Sequence, residues 1–103
     1  MDKKKSKLIK ELKEFKKQNN IRQMYLFGSM ASGSHHKDSD VDLILVSEKF
    51  RGKNVMQRSP PLHMKWRLKY PVDMLCYTPE EFNKLKRQIT IVREAVRSGI
   101  KII

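Results

Sequence analysis

Two six-residue apolar runs constrain the fold of this chain more than any other feature of its sequence. Residues 41–46 read V-D-L-I-L-V, and residues 72–77 read V-D-M-L-C-Y. The first run is apolar on both faces apart from Asp42, which is typical of a strand buried inside a sheet. A further short strand is predicted over Arg22–Phe27, where Gly28 bounds it. A sheet that contains such strands has to be covered on both faces, so helices are expected to pack on it.

Helical patterns alternate with these three strands. Apolar side chains recur at helical spacing over Lys4–Gln18, and Ser29–Gly33 is predicted to form one helical turn. A short helix is predicted over Leu62–Lys69, with Leu62 and Trp66 facing inward. This alternation predicts an α/β (α+β) fold, a mixed β-sheet with helices packed on it.

The C-terminal third is predicted to hold one long helix. It begins at the capping box T-P-E-E and ends at Gly99. Its predicted buried face comprises Phe82, Leu85, Ile89, Val92 and Val96. The apolar tail Ile100–Ile103 is predicted to pair or pack, and Glu48–Arg58 is predicted to be weakly structured.

Length and composition exclude several classes of protein. A chain of 103 residues predicts a single domain over 1–103. The single cysteine excludes a disulfide within the chain, and no Cys/His cluster has zinc-finger spacing. No apolar run approaches the roughly 20 residues of a membrane span, and no apolar signal core follows the basic N-terminus. These features predict a cytoplasmic protein without a membrane partner.

The charge of the chain is unevenly distributed. The formal net charge is +12, and residues 49–70 contain seven basic and no acidic side chains. Residues 24–48 contain four acidic side chains against one basic, Lys37. Crowded carboxylates repel one another, and bound cations are a common reason for such crowding. The basic remainder favours a polyanionic ligand such as a nucleotide or RNA, or is a solvated lysine-rich surface.

Three aspartates and a Gly-Ser pair form the candidate site. Asp40 and Asp42 flank Val41 at the start of one strand, so their side chains point to the same side. Asp73 lies one residue into another strand and is expected to face them. Three carboxylates on one sheet face fit Mg²⁺, a cation that binds oxygen ligands and whose coordination shell is usually completed by substrate phosphates.

The glycines and the serine predict a site for those phosphates. Ser29, at a helix start, provides N–H groups that can cradle a phosphate. Gly28 allows close approach of the backbone, and Gly33 allows the chain to turn back. Carboxylates, a cation and a phosphate cradle together indicate two-metal phosphoryl or nucleotidyl transfer.

The stretch LFGSMASGSHHKDSDVDLILVS resembles the signature of the DNA polymerase β-like nucleotidyltransferase superfamily, which is Gly-Ser, a spacer and Asp-x-Asp. Ten residues separate Ser29 from Asp40, the spacing of the small members. The later VDMLCYTPEEF is similar to the family's third-carboxylate strand and following helix. The length is similar to that of the minimal nucleotidyltransferase (MNT) group, antitoxin-like proteins that are often paired with a helical HEPN protein.

The resemblance implies the fold, the reaction and the residue roles. Gly28 and Ser29 would hold the terminal phosphates of the nucleotide. Asp40 and Asp42 would bind two Mg²⁺ ions, with Mn²⁺ as an alternative. Asp73 would complete the site of one ion and help to take the proton of the attacking hydroxyl. The implied reaction transfers an NMP, in the first place AMP from ATP, to a hydroxyl acceptor, with a HEPN-type partner in a toxin–antitoxin pair as one implied acceptor.

One departure from the family pattern leaves other functions open. Family members often carry basic residues just after Gly-Ser, where this chain has Met30 and Ser32. Lys37, or basic residues within 49–69, are the candidate substitutes. The alternatives are a catalytically weak, antitoxin-like module that acts by partner contact, and a basic RNA-binding domain, for which no motif is present. The nucleotide base, the acceptor and homo-oligomerisation stay open.

Overall fold

The computed structural model describes residues 3–33 and 40–103, so Lys37, one of the candidate basic substitutes, lies outside the described residues. The described chain forms a four-stranded sheet in the order β3-β2-β1-β4. The strands are β1 (Gln23–Phe27), β2 (Val41–Val46), β3 (Val72–Tyr77) and β4 (Ile100–Ile102). β1 pairs antiparallel with both β2 and β4, whereas β2 and β3 are parallel. The expected mixed sheet with helices packed on it is confirmed.

One face of the sheet is covered by two helices from the N-terminal third of the chain. Helix α1 (Lys3–Gln18) places Leu8, Leu12 and Phe15 in this core, where they are buried. The four-residue helix α2 (Ser29–Ser32) adds the buried Met30. These side chains pack with Leu43 and other residues of the strand positions that face them. Alternation along a strand therefore sends every second side chain of β2 to this face.

The opposite face of the sheet is covered by two C-terminal helices, α5 (Pro79–Leu85) and α6 (Ile91–Ser98). Phe82 of α5 stacks on Tyr25 of β1, with the ring centroids 5.6 Å apart. Ile44 and Val92 are buried in the same cluster. The strand positions that alternate with those of the first face, Asp42 and Asp73 among them, belong to this second face.

The predicted single C-terminal helix is wrong, because the chain forms two helices with a break between them. Thr90 starts the second helix: its hydroxyl accepts from Arg93 N–H and donates to Leu85 O. Ile89, expected on the buried face, is 95% exposed. Helical periodicity runs unbroken through the apolar positions, but Thr90 is a strong helix-start residue that interrupts the helix.

Two further segments differ from the sequence prediction. The stretch expected to be weakly structured contains a 3-10 turn (Glu48–Phe50) and a helical turn, α3 (Val55–Arg58). The helix expected over Leu62–Lys69 is α4 (Pro60–Met64), which begins and ends earlier. Trp66 therefore follows this helix, where its indole N–H donates to Tyr70 O at 2.8 Å and its ring packs edge-on against Phe15.

The apolar tail pairs as a strand, which was one of the two expected outcomes. Ile100 and Ile102 of β4 are opposite Leu26 and Met24 of β1. Cys76 is buried, and burial raises the pKa of its thiol to about 11. None of the helices in the described ranges is long and apolar enough to cross a membrane.

Candidate functional site

Asp42 and Asp73 lie side by side on neighbouring strands. The parallel register pairs the two residues directly, and the antiparallel register pairs Asp42 with Phe27 at the end of β1. Residues opposite one another in a sheet share a face, so this row of three side chains lies on the face that α5 and α6 cover further along. The second aspartate of the sequence motif and the third-strand aspartate are therefore brought together as predicted.

The electrostatics of Asp42 record this crowding. Its pKa is raised, first by partial burial, then by the charge of Asp73, and then by that of Asp40. Asp40 precedes β2 and is exposed, as is Asp73, whereas Asp42 is half-buried. The structure thus places Asp40 and Asp73 each within electrostatic reach of Asp42.

Gly28 packs against the carboxylate of Asp42. Its backbone adopts φ 75° and ψ −156°, a conformation essentially restricted to glycine. A Cβ added there would contact Asp42 Oδ2 and would lie 3.3 Å from Asp42 Cγ. The missing side chain therefore makes the space in which the carboxylate sits, and a glycine is required at this position both for its conformation and for its size.

Ser29 opens the helical turn that the sequence predicted. The amides of Ala31 and Ser32 both donate to Gly28 O at 3.1 Å, so the N–H groups of Ser29 and Met30 precede the first helical hydrogen bond. Gly33 ends the turn in the left-handed conformation, with φ 81°. The positions of Gly28, Ser29 and Gly33 match the predicted turn.

A basic group that the sequence did not point to lies beside α2. Met30 is buried on the opposite side of the sheet from the carboxylates, and Lys5 of α1 donates from Nζ to Ala31 O at 2.7 Å. Lys4 and Lys5 also line a small cleft with Tyr70. Helical spacing showed which face of α1 is buried, but no sequence signal showed that its first turn docks against α2.

Several of the candidate basic substitutes are held at the other end of the sheet. Lys49 donates from Nζ to Asn19 O at 2.5 Å, next to the C-terminal end of β2. Arg51 pairs with Glu80 at 2.6 Å, and the buried Arg58 pairs with Glu81 at 2.6 Å, both beyond the C-terminal end of β3. The aspartates lie at the opposite, N-terminal ends of these strands, so these three cations are not beside the carboxylates.

The carboxylates fit a cation that binds with few protein ligands. No group of three or more His, Cys, Asp or Glu side chains is close enough to enclose a metal ion within 3–33 and 40–103. Mg²⁺ usually binds through one or two carboxylates and keeps water and substrate phosphates as its other ligands. The pair Asp42 and Asp73 meets that requirement, and partial burial, followed by the charges of Asp73 and Asp40, raises the pKa of Asp42.

Comparison with protein families and solved structures gives a consistent match. The family model described as "Polymerase beta, Nucleotidyltransferase" matches residues 8–101. The crystal structure of a "putative nucleotidyltransferase" from Sulfolobus solfataricus is 24% identical, with a TM-score of 0.60, over 78% of this chain and 75% of that one. A second "putative nucleotidyltransferase" is 29% identical, with a TM-score of 0.50, over 77% of this chain and 87% of that one. No curated protein sequence matches significantly.

Proposed function

Because this chain belongs to the polymerase β-like nucleotidyltransferase family, we propose that it transfers a nucleoside monophosphate from a nucleoside triphosphate to a hydroxyl acceptor. The observation that carries the proposal is the position of Asp42, which is paired with Asp73 and packed against Gly28. Carboxylates at the start of two parallel strands, beside a glycine that opens a helical turn, fit a triphosphate and its cation.

The cation of this proposal is Mg²⁺, with Mn²⁺ as an alternative and two ions as the expected number. Asp42 and Asp73 would hold it, with Asp40 as a further ligand, because the charges of Asp73 and Asp40 both act on Asp42. When bound, the cation supplies positive charge that offsets the charge of the phosphate oxygens. Partial burial of Asp42 strengthens this attraction, because fewer water molecules screen it.

The chain's own residues then position and deprotonate the reactants. Gly28, Ser29 and Gly33 form the turn that would hold the terminal phosphates. The acceptor oxygen forms a bond to the α-phosphorus, the bond from that phosphorus to the β-phosphate oxygen breaks, and pyrophosphate leaves. The exposed carboxylate of Asp73 accepts the proton of the acceptor hydroxyl.

ATP is the proposed donor and AMP the transferred group, following the family resemblance. A hydroxyl on a HEPN-type protein is the proposed acceptor, in a toxin–antitoxin pair. Support for a protein partner comes from apolar side chains exposed within the basic stretch 49–70. Val55 is 68%, Met56 is 83% and Met64 is 80% exposed. Two of these three side chains are methionines, a residue type that is enriched at protein–protein interfaces.

Calorimetric titration of ATP with Mg²⁺ tests the nucleotide site. The wild type is expected to bind, and Asp42→Asn is expected to lose at least about tenfold in affinity, because one charged ligand to the cation is removed. Glu14→Gln is the matched control, since it removes one carboxylate from the exposed surface of α1 and should leave binding unchanged. Equal binding by the wild type and Asp42→Asn would overturn the proposal.

A second candidate function, a module that acts on its partner by contact alone, is favoured by Met30. Methionine is uncharged, and this side chain is buried in the core. The position therefore provides no cation beside the turn, where the family often has one. The contact module predicts partner binding that Asp42→Asn does not change. Transfer of the α-phosphate from labelled ATP to the partner, lost in Asp42→Asn, would instead establish turnover.

A further inference from the structure

A cleft of about 240 Å³ lies between α2 and α6, next to the carboxylate row. Its lining includes Phe27, Gly28, Ala31, Ile91, Glu94 and Ser98. Phe27 is the direct neighbour of Asp42 across the sheet, and Gly28 packs on the carboxylate of Asp42. The cleft is therefore continuous with the candidate active site through two residues that belong to both.

The wall formed by α6 is a single stripe of the helix. Counted from Ile91, the residues Glu94, Ala95 and Ser98 lie three, four and seven positions further along, so all four are on one face of the helix. Ile91 is 55% exposed at this wall, an apolar side chain left uncovered at an open cleft. The stripe thus combines apolar contact area with one carboxylate and one hydroxyl.

Glu94 differs from the other glutamates of the C-terminal half. Glu48 and Glu80 pair with Arg51, and Glu81 pairs with Arg58, whereas the Glu94 carboxylate makes no ion pair with any residue of 3–33 or 40–103. Glu94 lines the cleft, and a carboxylate without a protein cation can accept hydrogen bonds from a ligand that carries N–H donors.

We infer that this cleft binds the nucleobase of the triphosphate and that Glu94 selects bases with an exocyclic amino group, so that ATP is preferred over UTP. The inference rests on the proposed function, because the phosphates must lie along Gly28 and Asp42 for the base to reach the cleft. Pockets for whole drug-sized ligands measure roughly 300–1,000 Å³, so this cleft suits one part of a nucleotide.

The chemistry of the lining fits an aromatic base. Phe27 supplies an aromatic ring, and base–aromatic contact is favourable for every base because each has a π-face. Specificity then falls to the polar groups. A carboxylate accepts hydrogen bonds and cannot donate them, so it favours the amino edge of adenine and disfavours a carbonyl at the same position, as in uracil.

The test compares three ligands by calorimetry in the presence of Mg²⁺: ATP, purine riboside triphosphate, which lacks only the amino group, and inorganic tripolyphosphate, which lacks the nucleoside. The wild type is expected to bind ATP about tenfold tighter than purine riboside triphosphate, because ATP alone can donate a hydrogen bond from the amino group to the Glu94 carboxylate. Glu94→Ala is expected to bring this ratio close to one while tripolyphosphate binding stays unchanged. Glu14→Ala is the matched control on α1.

A second variant tests the cleft without touching Glu94. Ser98→Trp places a large side chain at an exposed position of the cleft wall and is expected to reduce ATP affinity to that of tripolyphosphate. Arg97→Trp adds the same bulk at the preceding position, which does not line the cleft, and should bind ATP as the wild type does.

The possible outcomes separate this inference from the proposed function. If neither tripolyphosphate nor ATP binds, the proposed nucleotide site is wrong and the inference fails with it. If tripolyphosphate binds as tightly as ATP and neither variant changes the ratio, the phosphate site stands and the assignment of the base to this cleft is overturned. A ratio that collapses in Glu94→Ala and in Ser98→Trp, but in neither control, supports the inference.

Discussion

At the scale of single residues, Gly28 combines two constraints that can be measured separately. Its conformation is glycine-specific, and its missing Cβ leaves room for Asp42. Gly52 also has a positive φ, of 80°, but an added Cβ would meet nothing within 4 Å. The two glycines therefore form a matched pair in which only one carries the contact with the site.

We expect Gly28→Ala to reduce the free energy of unfolding by about 1 kcal/mol more than Gly52→Ala, because the contact with the carboxylate adds to the backbone strain. Urea denaturation of the two variants measures this difference. Equal losses would mean that Asp42 moves aside without a free-energy penalty. The double variant Gly28→Ala, Asp42→Ala should recover the additional loss.

Asp42 is expected to destabilise the metal-free protein at neutral pH. Its pKa in the folded state is raised above 3.8, so folding favours the protonated form and stability falls as the pH rises through that window. Asp42→Asn should therefore be more stable than the wild type at pH 7, by at most about 1 kcal/mol because water still reaches the carboxylate. The difference should vanish below the ordinary pKa.

Thermal unfolding from about pH 3 to pH 7, with and without Mg²⁺, checks this prediction. Addition of Mg²⁺ should stabilise the wild type and leave Asp42→Asn unchanged, because only the wild type keeps the full set of carboxylates. An Asp42→Asn variant that is less stable than the wild type at neutral pH without Mg²⁺ would contradict the argument.

At the scale of secondary-structure elements, the pair of Arg58 and Glu81 joins α3 to the first turn of α5. Arg58 is 7% exposed at its side chain, and it also donates to Cys76 O at 3.1 Å. Glu81 accepts from Thr78 N–H as part of the capping box. Hydrogen bonding to Arg58 is the largest cause of the lowered pKa of Glu81.

We expect Glu81→Gln to reduce the free energy of unfolding by about 2 kcal/mol, because it leaves a buried guanidinium without its counterion. This is less than the roughly 3–5 kcal/mol of a fully buried pair, since the Glu81 carboxylate is partly hydrated. Since the pKa of Glu81 is lowered, the contribution of its ion pair to stability is fully present above pH 4.5. This contribution is lost as the pH falls through the folded-state pKa of Glu81.

Chemical denaturation at neutral and acidic pH checks this, and the neighbouring Glu80→Gln is the control. Glu80 lies in the same helical turn but pairs with Arg51 on the exposed surface, so its loss should be smaller. The difference between the wild type and Glu81→Gln should narrow in acid. A constant difference at all pH values would argue against the ion pair as its source.

The elements also show how far the sequence could predict this structure. β2 and β3 match their predicted limits, because short apolar runs bounded by turn residues define strands well. The sequence predicts that Asp73 faces Asp42 from another strand, and the parallel register, which the sequence does not predict, pairs the two residues directly. The prediction that Ile89 is buried is wrong, because apolar periodicity alone does not show that a new helix begins at Thr90.

Other features had no local signal at all. The docking of Lys5 on α2 depends on how two helices meet in three dimensions, and spacing along one helix does not contain that information. The cleft between α2 and α6 similarly arises where distant segments meet at the end of β1. Sequence patterns locate residues on an element, whereas the gap between two elements follows from their packing.

At the scale of the whole molecule, the net charge of +12 predicts binding to polyanions without sequence preference. We expect affinity for single-stranded RNA to fall steeply and linearly on a log–log plot against salt concentration, because binding releases counterions. Asp42→Asn should bind RNA at least as well as the wild type does, since it removes one negative charge.

Fluorescence anisotropy with a labelled oligonucleotide at several salt concentrations measures this binding. Steep salt dependence together with unchanged binding by Asp42→Asn would mean that RNA affinity reflects net charge and is separate from the nucleotide site. RNA binding that Asp42→Asn abolishes would instead make RNA a ligand of the carboxylate site.

The strand connections also have a consequence for the order in which the site forms during folding. Gly28 and Asp42 meet within an antiparallel pair of strands that are consecutive in the chain, whereas Asp73 arrives through the longer crossover into a parallel pair. Closure of the shorter loop loses less entropy, so β1 and β2 should associate first. Pulse-labelling hydrogen exchange during refolding should protect β1 and β2 amides before those of β3. A refolding chain would then pass through a stage in which Gly28 and Asp42 are in place but Asp73 is not. Because the proposed cation site needs both aspartates, ligand is expected to accelerate only the folding steps that follow the arrival of β3.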